Sequence, residues 1–80
     1  MNIQNTILDI MEEVFGIEKS EMEENLDLDL FDNELIDSLG IVTMLGELGE
    51  ALNKDFDIAQ MTPESFRTVR KLTEAIEKQL

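Results

Sequence analysis

Apolar positions in the first fifteen residues recur at spacings of three and four: Ile3, Ile7, Leu8, Ile10, Met11, Val14 and Phe15. That spacing is the stripe of an amphipathic helix. Asn2 suits its N-cap and Gly16 its close, which predicts a first helix over residues 3–15. The pattern then breaks. Ser20 and Glu23 have the spacing of a capping box for one helical turn. Next, Leu26, Leu28 and Leu30 alternate with Asn25, Asp27 and Asp29, a strand-like period. A lone strand has no partner in so short a chain, so the segment reads as an extended connection whose leucines pin onto a helical core. Connections this long between helices are unusual and often carry function.

Helical spacing returns at Asp37. Ile41, Val42, Met44, Leu45, Leu48, Ala51 and Leu52 cover a wide apolar face, and Asp37 is placed to cap the helix and complement its dipole. Gly40, Gly46 and Gly49 interrupt this helix, at about 1 kcal/mol each relative to alanine in a helix interior. Something other than propensity must hold it. Leu45 and Leu48 read as core. Thr62-Pro63 marks the start of a short turn of helix running through Glu64, Ser65 and Phe66. Thr68 can cap a last helix in which Val69, Leu72, Ile76 and Leu80 form the buried stripe and Glu74 pairs with Lys78 outside. The expected fold is all-α: a bundle of three main helices plus one short one, with a long connection between the first two, forming a single domain over residues 1–80.

Composition narrows what such a bundle can do. The 80 residues contain no cysteine and no histidine. Disulfides, thiolate metal sites, the Ser–His and Cys–His nucleophile systems and the usual general base are all absent. An enzyme is therefore not expected. Nineteen acids against six bases leave a net charge of -13, with twelve acids and one base, Lys19, between Asp9 and Asp37. Such a chain is repelled by nucleic acid and anionic membranes and drawn to basic protein surfaces. No apolar run exceeds two residues and the N-terminus has no signal pattern, so a cytoplasmic monomer without membrane insertion is expected. A calcium loop over Asp27–Ser38 fails, because Phe31, Asp32 and Ser38 fall at positions 5, 6 and 12. No metal site is assigned.

One stretch carries chemistry: Leu35-Ile36-Asp37-Ser38-Leu39-Gly40-Ile41-Val42. It sets a serine in the first turn of a helix, where a phosphoester would meet the positive end of the dipole and free backbone N–H groups. The chain has no histidine to activate that hydroxyl, so Ser38 is a substrate for another enzyme and not a catalyst. Ser20 and Ser65 lack this context.

With this motif and helix order the chain resembles the acyl carrier and peptidyl carrier superfamily, whose members carry a 4′-phosphopantetheine arm on the serine of an Asp-Ser-Leu motif. Asp37, Ser38 and Leu39 match that motif, and Leu35 a leucine two residues before the aspartate. The segment Leu30-Phe31-Asp32 through Ser38-Leu39-Gly40-Ile41-Val42 is most similar to D-alanyl carrier proteins of lipoteichoic acid modification. Gly40 stands where fatty-acid carriers usually have an acid, and Thr43 where they usually have glutamate. The C-terminal third departs from the D-alanyl pattern: Met61-Thr62-Pro63-Glu64-Ser65-Phe66 replaces the expected Trp-containing segment, as in other stand-alone carriers.

The resemblance implies an acyl-carrier-like four-helix fold, a 4′-phosphopantetheine from coenzyme A on Ser38, and cargo held as a thioester. The partners it implies are a phosphopantetheinyl transferase, an adenylating acyl or aminoacyl ligase and a downstream acyltransferase. In this family the helix after the serine is the docking surface. Leu39 and Val42 match its apolar positions, Glu47 and Glu50 supply acids, and Gly46 replaces a residue that is often bulky. The alternative is an acidic helical interaction module, an adaptor or polyanion mimic with no prosthetic group, which accounts for the charge but leaves Ser38 without a purpose.

Overall fold

A computed structural model describes residues 2–56 and 61–80. Its elements are α1 (Ile3–Phe15), α2 (Lys19–Glu23), α3 (Ser38–Leu52), a 3-10 turn (Pro63–Phe66) and α4 (Val69–Gln79). The described residues contain no strand. Helices α1, α3 and α4 pack around one core, in which Ile7, Leu8, Met11, Leu30, Met44, Leu48, Val69, Leu72 and Ile76 are almost fully excluded from solvent. Burying a side chain of this kind contributes roughly 1.5–3 kcal/mol, which is what holds helices too short to persist alone.

Each long helix begins on the cap its sequence offers. Asn2 accepts from the Asn5 amide at 3.0 Å, Asp37 from Gly40 at 2.7 Å and Thr68 from Lys71 at 3.1 Å. Gly16 ends α1 in the left-handed conformation (φ 71°), and Asn53 (φ 54°) ends α3. At that second end the Lys54 amide closes back on the Gly49 carbonyl at 2.9 Å. A Cβ at Gly49 would lie 2.8 Å from the Lys54 carbonyl oxygen, so the closing turn accounts for that glycine.

Three expectations are corrected. Ser20 caps nothing: Glu18 holds the N-cap position of α2, and Ser20 lies inside that helix. Leu80 falls beyond α4, at its C-cap, and is 56% exposed and not part of the buried stripe. Glu74 and Lys78 do not pair among the described residues, where the cations near them instead bond acids of the long connection and of the 3-10 turn. The bundle of three main helices with a short fourth element stands, and α2 is a second short element within the long connection.

That connection is anchored as its alternation requires. Leu30 is fully buried, and Leu26 and Leu28 are half-buried against the core. The intervening acids face the start of α4. Asp27 accepts from Arg70 at 2.8 Å and Asp29 from Arg67 at 2.8 Å. Two backbone bonds join the same segments, Leu30 N–H to the Arg67 carbonyl at 2.7 Å and Arg70 N–H to the Leu26 carbonyl at 3.1 Å. The segment behaves as a strand's worth of chain whose partner is the junction between the 3-10 turn and α4. This strap delivers the chain to Asp37.

Candidate functional site

Three local features place Ser38. Leu35 donates its amide to the Leu30 carbonyl at 2.9 Å, which folds the chain back after the buried leucine. Glu34 completes this bend in a left-handed conformation (φ 54°). Ile36 then buries (8% exposed) and Asp37 caps, leaving Ser38 exposed as the first residue of a fifteen-residue helix. The Asp37 carboxylate is committed to the Gly40 amide and not to the serine. The first-turn amides of Ser38 and Leu39 lie at the positive end of the dipole and have no acceptor within the helix. A phosphoester oxygen on Ser38 fits that environment.

Beside it, Leu39 is 78% and Val42 58% exposed, two large apolar residues that the core does not take. Leu45 and Leu48 do bury, as expected. Glu47 and Glu50 diverge. Glu50 lies on an open groove of about 710 Å³ with Val42, Leu45, Gly46, Gly49 and Phe56. Glu47 lies on the opposite flank, in a groove of about 430 Å³ with Glu13, Phe15, Leu39, Gly40 and Thr43. Gly46 is bare, since a Cβ there would meet nothing within 4 Å. Val42, Gly46 and Gly49 thus line one groove, and the two acids border different ones.

Electrostatics separate the α3 surface from the rest. Five ion pairs join the described residues: Lys19–Asp9, Arg67–Asp29, Arg67–Glu64, Arg70–Asp27 and Lys71–Glu64. None engages Asp37, Glu47 or Glu50. The bonds from Arg70 hold the Asp27 carboxyl below its ordinary pKa. The Asp32 amide and then Arg67 do the same for Asp29, and Lys71 with Arg67 for Glu64. Lys19, Arg67, Arg70 and Lys71 are thus engaged by acids of α1, the strap and the 3-10 turn, while on α3 Glu50 is exposed in a groove it shares with Lys54, and one carboxylate oxygen of Glu47 is buried without a hydrogen-bond partner. Among the described residues no cluster of acids has the arrangement of a metal site. No helix among the described residues is long and apolar enough to cross a membrane.

Phe15 and Glu13, from the end of α1, also border the serine turn. Their apolar and acidic positions in the first helix read simply as stripe and outer face. The one available signal was Gly40, a glycine in a first turn with no turn to make.

Comparison with known proteins agrees with this geometry. The family model described as "Phosphopantetheine attachment site" matches residues 5–76. D-alanyl carrier proteins of Streptococcus pyogenes serotypes M5, M49 and M1 are each 32% identical over 78 residues, covering 98% of this chain and 95% of theirs. No solved structure gives a significant match.

Proposed function

The chain belongs to the phosphopantetheine attachment-site family, and from that membership we propose that Ser38 carries the arm and that the cargo is D-alanine. Proteins of this kind are carriers: the 4′-phosphopantetheine group supplies a terminal thiol on which an acyl or aminoacyl group is held as a thioester. The single observation that supports Ser38 is its position, exposed and first in α3, behind a cap whose carboxylate is already bonded to Gly40. Its hydroxyl has no hydrogen-bonding base among the described residues, so the serine acts as substrate for a phosphopantetheinyl transferase. The relatives at 32% identity support the D-alanyl cargo, which calls for an adenylating D-alanine ligase and a downstream acyltransferase.

Leu39 and Val42 serve as apolar docking contacts, and Glu47 and Glu50 as acidic ones that steer basic partners. Glu47 and Glu50 border different grooves, so a partner engaging both spans the exposed ridge of α3. Gly46 lets that partner approach the backbone closely. Leu39 stays with the attachment motif as well, next to the serine it flanks.

Intact mass after incubation with coenzyme A and a broad-specificity transferase tests the attachment residue. One added phosphopantetheine is expected on the wild type and none on Ser38→Ala. Addition to Ser38→Ala, or none to either with a transferase active on another carrier, refutes the assignment. The second outcome favours the acidic-module reading. Charging of the loaded protein by a D-alanine ligase, with glycine and fatty acids as competitors, then tests the cargo.

A further inference from the structure

Two constraints meet at Gly40, two residues after Ser38. On one side its amide donates to Asp37 Oδ1 at 2.7 Å, which sets the cap. On the other side lies the ring of Phe15. A Cβ at position 40 would stand 2.2 Å from Phe15 Cε1, 2.8 Å from Cζ and 3.2 Å from Cδ1. Carbon atoms in contact sit about 3.5–4.0 Å apart, so no side chain fits beside the ring where it stands. Phe15 is the last residue of α1, and the left-handed Gly16 follows it directly. The ring stands at the corner where α1 ends, partly buried against the core. Gly46, further along the same helix, makes the contrast: a Cβ there meets open space.

We propose that Gly40 is a positioning residue for reactions at Ser38, acting through Phe15. Its missing side chain lets the ring seat directly against the first turn of α3, which fixes that turn's distance from α1 and so the place at which the serine hydroxyl is presented. This rests on the reading that Ser38 is the attachment residue. A methyl group at position 40 displaces the ring or tilts the turn. Either moves Ser38 relative to Leu39, Val42 and the acids by which an enzyme holds the carrier. The docking contacts persist, but the nucleophile is misaligned, and a displacement of about 1 Å can cost on the order of 100-fold in rate.

Loading by a phosphopantetheinyl transferase is followed by intact mass for the wild type, Gly40→Ala, Phe15→Val and the double variant. All are measured well below their melting temperatures, with circular dichroism to verify folding. Gly40→Ala is expected to lose about tenfold or more in kcat with KM nearly unchanged. Adding Phe15→Val, which withdraws the ring, is expected to restore most of that loss. Wild-type kinetics for Gly40→Ala would overturn the inference. So would a loss that Phe15→Val does not rescue, which would locate the effect in the cap. A wild type that gains no mass sinks the attachment reading, and this inference with it.

Discussion

Replacing Leu30 by alanine removes the one fully buried leucine of the long connection, and its cost can be worked from the structure. Leu30 is 0% exposed and sits among the core residues of all three long helices. Its amide bond to the Arg67 carbonyl and the bond its own carbonyl accepts from Leu35 are backbone bonds, which alanine keeps. The loss is therefore the transfer free energy of the side chain plus the cavity left behind, about 3–4 kcal/mol by analogy with other fully buried leucines. An 80-residue domain has roughly 4–12 kcal/mol in total, so this is a large fraction of it. At about 4–8 °C per kcal/mol for a domain of this size, the melting temperature should fall by roughly 12–32 °C. Leu26→Ala and Leu28→Ala, at half-buried positions of the same alternation, should cost less than half as much. The chain has no tryptophan and no tyrosine, so thermal and urea unfolding are best followed by far-ultraviolet circular dichroism. If Leu30→Ala costs under about 1 kcal/mol, or no more than Leu26→Ala, the connection is not pinned by its buried leucine and the reasoning fails.

The strap should also titrate. Asp29 has a depressed pKa in the folded state, so its stabilisation is present above the ordinary carboxylate value and is lost as pH falls through that value towards the folded one. Asp29→Asn should therefore melt below the wild type at pH 7, with the gap closing below about pH 4, and a gap unchanged from pH 7 to pH 3 would contradict this. With a net charge of -13 and only five ion pairs among the described residues, added sodium chloride should raise the melting temperature by relieving self-repulsion. A flat or falling salt series would show that screening of the pairs wins instead. Gly46→Met should leave the fold intact, since its side chain enters open space, yet slow charging by the ligase through loss of close approach at α3. Unchanged charging kinetics would remove Gly46 from the docking surface.

Local signals in the sequence determined the ends of the long helices. The caps at Asn2, Asp37 and Thr68 act through backbone amides three residues away, and apolar spacing of three and four defines a helix without reference to any other part of the chain. The same locality made the site legible, because Asp37, Ser38 and Leu39 are consecutive and their exposure follows from the cap. Ser20 shows the limit of such signals: its spacing to Glu23 fits a capping box, but the chain leaves Gly16 in a direction that starts α2 at Lys19.

Tertiary structure decided what depends on residues distant in sequence. The alternation from Leu26 to Leu30 is ambiguous until Arg67 and Arg70, 38 and 43 residues away from their partners Asp29 and Asp27, supply the other side. Gly40 is a poor helix residue by propensity, and only the Phe15 ring packed against it gives the glycine a reason. Glu47 and Glu50 read as one acidic face, but packing of α1 against one flank of α3 sets them on different grooves. Periodicity specifies which face of a helix is buried; which neighbour buries it, and how closely, is a property of the assembled core.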